Sequence, residues 1–213
     1  MKIRRRVGPV VVASMLLCAA VCPAGARAQS TQGVRVDPNA KVKEDELQKF
    51  RDEAVERARG NPEVAARQLT NRDDFVRQRA AEEIARLAPA DKRRLVEGYR
   101  LQEKNERVRL ALDWALYRLG RRDALYGVVR ALGTSRTNQA EAYLAEIGDP
   151  APLYPFLRRA NGPGLVKLLE SLARTGDAAT LDHLKPHFMA GDHKVVDAAR
   201  FAEREINRRL ARP

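Results

Sequence analysis

Reactive side chains are scarce in this chain. Of its 213 residues two are cysteine, three histidine and one tryptophan, and aromatic residues make up only 5%. Both cysteines, Cys18 and Cys22, fall in an N-terminal segment with the form of a secretory signal peptide. Lys2, Arg4, Arg5 and Arg6 supply its positive start, Val7 to Cys22 an uncharged apolar stretch, and Ala26-Arg27-Ala28 an A-x-A pattern, so cleavage is expected after Ala28. That stretch of 16 residues, interrupted by Gly8 and Pro9, is shorter than the roughly 20 that span a bilayer, and no stable membrane insertion is expected after cleavage. Leu17 and Val21 precede the cysteines where lipidation requires a small residue. The expected location is therefore the periplasm or the exterior. A mature chain without cysteine has no thiolate nucleophile, thiolate metal site or thiol redox chemistry.

The shortage of aromatic residues beside abundant Ala, Leu and Arg favours helices over strands, because Ala and straight-chain residues lose least entropy in a helix. Formal charge is +12, from 40 basic and 28 acidic residues. Loss of Lys2, Arg4, Arg5, Arg6 and Arg27 with the signal leaves 35 basic against 28 acidic residues, a net +7. That balance favours acidic partners, although charges of both signs alternate and no long basic run occurs.

Residues 29–43 are polar, carry Gly33 and Pro38 and show no periodicity, which predicts a flexible linker before a domain at 44–213. Leu47, Phe50, Ala54 and Ala58 then recur at helical spacing up to Gly60, and Asn61-Pro62-Glu63 reads as the capped start of a second helix. Beyond it an apolar triplet with steps of four and three residues repeats. It reads Ala80, Ile84 and Leu87; then, 32 residues on, Leu112, Leu116 and Leu119; then, at two further steps of 28, Ala140, Leu144 and Ile147, and Leu168, Leu172 and Thr175. Such steps put each triplet on one helical stripe. Ala88, Gly120, Gly148 and Gly176 follow as expected left-handed helix ends, and Asp91, Asp123, Asp149 and Asp177 as expected caps of the next helices.

Those next helices present Leu95, Val96 and Tyr99; Leu125, Val128 and Val129; Leu153, Phe156 and Leu157; and Leu181, Leu184 and Phe188 as core faces. A fifth unit from Asp192 carries Val195, Ala199, Ala202, Ile206 and Leu210 inside, with Arg200, Glu203, Arg204, Asn207 and Arg208 outside, as a terminal cap requires. The run Val108 to Gly120, followed by Arg121-Arg122-Asp123-Ala124-Leu125, resembles the short-period HEAT repeat, also called the phycobilisome-lyase HEAT-like repeat. The resemblance implies an all-α fold, an α-solenoid of about four to five antiparallel hairpins over residues 44 to 213, with an extended binding surface. Gly164 at the position of Val108, and Thr175 at the last apolar position, depart from the pattern and blur the fourth hairpin.

No catalytic constellation emerges and no cofactor is expected. His183 and His187 share a helix face at metal-ligand spacing, with Asp182, Asp192 or Asp197 as third-ligand candidates, but Pro186 interrupts them. Adjacent carboxylates such as Glu82-Glu83 and Asp73-Asp74 point in different directions on a helix and read as caps or solvated faces. The candidate partner-binding residues are Trp114 and a ladder of arginines, in which Arg77 matches Arg109 and Arg86 matches Arg118. Trp with Arg is a common hot-spot pair, and repeated guanidinium groups can grip carboxylates or phosphates bidentately. The alternative is that Trp114 packs between hairpins and the arginines pair with neighbours such as Glu82, Glu83, Glu106 and Asp113. The expected function is a non-enzymatic binding module or scaffold for a protein or peptide, an acidic one by charge. A basic face for nucleic acid is the alternative that export disfavours, and a lyase role follows from family analogy alone.

Overall fold

A computed structural model describes residues 38–212; the signal segment and most of the expected linker lie outside them. The described residues form helices joined by short turns, with no strand, and from Asn39 onward belong to one compact unit. In chain order the helices are α1 (Pro38–Ala58), α2 (Pro62–Gln68), α3 (Asp74–Leu87), α4 (Arg93–Gln102), α5 (Glu106–Arg118), α6 (Leu125–Ala131), α7 (Thr137–Ala145), α8 (Tyr154–Leu157), α9 (Gly162–Thr175), α10 (Ala178–Leu184) and α11 (His193–Leu210). Helix α1 thus begins at Pro38, over residues expected in the linker; proline is tolerated at a helix start because its missing N–H would have no partner there. No described helix is long and apolar enough to cross a membrane.

The stripes read from the sequence are the ones that pack. Ala80, Ile84, Leu112, Leu116, Ala140, Leu144, Leu168 and Leu172 are almost completely buried. Leu87 and Thr175, each last in its triplet, are half-buried. Helix α3 lies between α2 and α5, α5 is backed by α4 and α6, α7 meets α9, and α9 carries α11 along its length. Ala80, Ala81 and Ala85 on α3 and Ala111 and Ala115 on α5 are all buried, and their small side chains suit the close approach of these two helices.

Side-chain caps start five of the eleven described α-helices, α2, α3, α5, α10 and α11. Asn61 accepts from the N–H groups of Glu63 and Val64, Asp73 from those of Phe75 and Val76, and Asn105 from those of Arg107 and Val108. Of the four expected aspartate caps only Asp177 closes an α-helix, through a capping box with Thr180. Asp91 and Asp123 sit inside 3₁₀ turns, and Asp149 accepts from Ala151 at the start of another.

Ala88 and Gly120 take the expected left-handed conformation, with φ of 47° and 91°. Gly148 and Gly176 do not; at Gly176 φ is −66°, and space is what excludes a side chain, since a Cβ would lie 2.6 Å from the Leu172 carbonyl and 2.8 Å from Ile206 Cδ1. Four expected core residues lie outside the core. Leu47 and Phe50 are 42% and 43% exposed because only the second half of α1, through Ala54 and Ala58, is buried, and Leu95 is 40% exposed beside the buried Val96. Leu210 emerges at the free end of α11.

Candidate functional site

Trp114 is a core residue. It is 2% exposed, and its ring stacks on Tyr143 of α7 and on Tyr117, each at 5.5 Å between centroids. Its edge closes a groove of about 960 Å³ bordered by α1, α3, α5 and α7. Arg86 lies on that border, and the Arg118 guanidinium sits 5.5 Å over the indole, so three of the five candidate residues come together there. The other two lie elsewhere.

The groove's charges are already matched. Arg86 makes two hydrogen bonds to Glu83, at 2.8 and 2.6 Å, and Arg118 meets Glu146 at 3.7 Å. Arg86 in turn holds the Glu83 carboxyl below its usual range. Glu82 accepts from Gln78, Arg79 and the Tyr143 hydroxyl at 2.7 to 2.9 Å. Burial, reinforced by Glu82, pushes the Tyr143 phenol well above its ordinary range, so it stays a neutral donor. The groove is therefore a pocket in which Arg79, Arg86 and Arg118 are spent on its own carboxylates and Arg59 pairs with Glu56 beside it.

Arg77 is structural. It forms a bidentate pair with Glu103, at 2.7 and 3.1 Å, and donates to the carbonyls of Asn71 and Arg72. Burial alone would raise the Glu103 carboxyl, but Arg77 and the backbone N–H groups of Asn105 and Lys104 together bring it below its usual range. The repeat match of Arg77 to Arg109 is thus one of position and not of environment. Arg109 is exposed and forms no ion pair among the described residues.

Arg109 lines a different cavity, of about 300 Å³, bounded by α4, α5, α6 and the turn before α7. At 100° per residue it leaves α5 about 140° around the helix from Trp114. Arg130 and Arg136 line the same cavity, and neither has an acidic partner among the described residues. The fourth arginine, Arg100, is held by buried Asp113 through two hydrogen bonds, one of 3.0 Å from Nη2 to Oδ2. Gly127 makes room for this pair: a Cβ there would lie 2.4 Å from Asp113 Oδ2.

Arg130 also lines a neighbouring cleft of about 250 Å³ formed by Tyr126, Val129, Gly133, Phe156, Arg159 and Pro163. Tyr126 is 52% exposed and lies 6.3 Å from the Phe156 ring. Sequence reasoning assigned Phe156 to the core and passed over Tyr126, Arg130, Arg136 and Arg159. The local signal was present, as Arg130 and Arg136 flank the Gly133-Thr134 turn, but only packing shows which arginines lack carboxylates.

The histidines do not converge. His183 stacks on Tyr154 at 3.9 Å, His187 is half-buried, and no cluster of three metal-ligating side chains occurs among the described residues.

No family model and no curated protein matches the sequence. Crystal structures of two engineered proteins are similar to it at 18% identity and a TM-score of 0.34, each over 70% of this chain. The chain spans about half the length of the first (48%) and 80% of the second. What the chain itself shows is an all-helical protein with two arginine-lined sites, one internally neutralised and one open.

Proposed function

We propose that this chain is an exported helical-repeat binding module, a HEAT-like α-solenoid of four to five hairpins that holds a protein or peptide partner in the cell envelope without chemistry of its own. Burial of the recurring triplets and the sequence-order packing of α3, α5, α7, α9 and α11 support the repeat reading. The observation that carries the binding reading is the Tyr126–Phe156 cleft flanked by Arg130 and Arg159. Exposed aromatic surface beside arginines that have no acidic partner among the described residues is the composition of interface hot spots, and the chain's positive balance makes the preferred partner acidic. The candidate residues Arg86, Trp114 and Arg118 become, on this reading, parts of the scaffold.

A photo-crosslinking residue in place of Tyr126 tests it in intact cells. It is expected to capture a discrete protein, and capture is expected to vanish when Arg130 and Arg159 are reversed to glutamate. Equal capture from Ala142, on the border of the neutralised groove, or capture that survives the charge reversal, would refute the assignment.

A further inference from the structure

We propose that Arg109, Arg130 and Arg136 form an oxyanion socket that receives an aspartate or glutamate carboxylate of the partner while an apolar side chain next to it fills the Tyr126–Phe156 cleft. The proposal rests on the protein-partner reading above and names the chemistry of that partner.

Most cations close to a carboxylate in this molecule are used. Arg51 pairs with Asp73, Arg77 with Glu103, Arg79 with Glu82, Arg86 with Glu83, and Lys167 with both Glu141 and Glu170. Around the 300 Å³ cavity the pattern breaks. Asp113 is committed to Arg100, and the other carboxylate on its wall, Glu106, forms no ion pair, so three guanidinium groups share one cavity with a single uncommitted acid. Like charges gathered this way repel, and an anion between them turns the repulsion into attraction.

The Nε of Arg136 is buried and has no acceptor among the described residues, so none of the chain's own described carboxylates or carbonyls neutralises this guanidinium there. Thr134 does not supply that acceptor. Its hydroxyl donates to the Ala131 carbonyl and accepts from the Arg136 backbone N–H.

Guanidinium forks match carboxylates and phosphates alike, so the neighbouring features decide. Arg130 lines both cavities, so the cationic pocket and the apolar cleft adjoin each other. A peptide with an acidic and an apolar side chain fills both parts. A run of phosphates would leave the apolar cleft without an apolar group.

The test is fluorescence anisotropy on the full mature chain with a labelled short peptide alternating Glu and Leu, a matched Gln/Leu peptide, a single-stranded oligonucleotide of equal length, and inorganic phosphate as competitor. The Glu/Leu peptide is expected to bind at least tenfold more tightly than the Gln/Leu peptide. Arg109→Gln and Arg136→Gln are each expected to weaken it about tenfold, as loss of a charge-assisted hydrogen bond implies. Arg86→Gln, in the neutralised groove, is expected to leave it unchanged. Equal binding of the two peptides, abolished by Tyr126→Ser, would remove the socket and leave the binding module standing. An oligonucleotide that binds more tightly than either peptide would overturn both. Absence of peptide binding, or phosphate displacing the peptide with the same arginine dependence at low millimolar concentration, would overturn the socket.

Discussion

Gly127→Ala is expected to destabilise the protein although alanine is the better helix former. Gly127 lies within α6, where replacing glycine by alanine ordinarily gains about 1 kcal/mol. Here the new Cβ would lie 2.4 Å from Oδ2 and 2.9 Å from Cγ of Asp113. Asp113 has no free path away, because it is 9% exposed and held by Arg100 through both carboxylate oxygens. Overpacking of this kind costs about 1–3 kcal/mol, and disturbing a hydrogen bond to a charged group about 1.5–3 kcal/mol. Against the helix gain the net loss is about 1.5–5 kcal/mol. For a domain of this size that lowers Tm by roughly 3–20 °C.

Thermal unfolding followed by circular dichroism at the helical band measures the loss, and a double-mutant cycle isolates its cause. Asp113→Ala leaves Arg100 without its partner and is itself destabilising, but once Asp113 is truncated the further change Gly127→Ala is expected to be neutral or stabilising. An unchanged Tm for Gly127→Ala alone, or the same loss in both backgrounds, would refute the steric argument. The outcome also bears on the open cavity, because the Arg100–Asp113 pair forms part of its wall.

Trp114→Ala is expected to lose about 3–5 kcal/mol, as for other buried large aromatics, with collapse of the near-ultraviolet dichroism of the Trp114–Tyr143 stack; a loss below 1 kcal/mol would show the ring to be dispensable. Gly98→Ala in α4, where nothing lies within 4 Å of the new Cβ, is expected to gain about 0.5–1 kcal/mol in urea unfolding. The Glu103 carboxyl is held below its usual value of 4.5 in the folded chain, so the unfolded chain binds a proton first as pH falls. Its stabilisation is therefore present above about pH 4.5 and disappears below it, and Glu103→Gln is expected to flatten that part of the urea-unfolding profile; an unaltered profile would contradict the pairing with Arg77.

Fold class was legible because helical burial is periodic. The steps from Ala80 to Ile84 to Leu87, repeated at offsets of 32, 28 and 28, return to one stripe whatever the neighbouring helix is, and nearly every residue of the four triplets is buried. The helix-start reading at Asn61 and the glycine stop at Gly120 were local as well, each depending on a few residues of backbone geometry. The exposed Leu47, Phe50 and Leu95 obey the same spacing and were misplaced, because spacing locates a stripe without saying whether another element covers it.

The arginine ladder marks the boundary between the two kinds of information. Sequence alone determined that Arg77 and Arg109, and Arg86 and Arg118, occupy matching positions on repeated helices, since that follows from register. Only the tertiary structure decided what each does: Glu103 arrives beside Arg77 from 26 residues away, Glu146 beside Arg118 from 28, and Arg109 forms no ion pair among the described residues. Position along a helix is a local property, whereas the neutralisation of a charge depends on which other segment folds against it. For that reason the open site, and not the repeated one, came into view only with the packing.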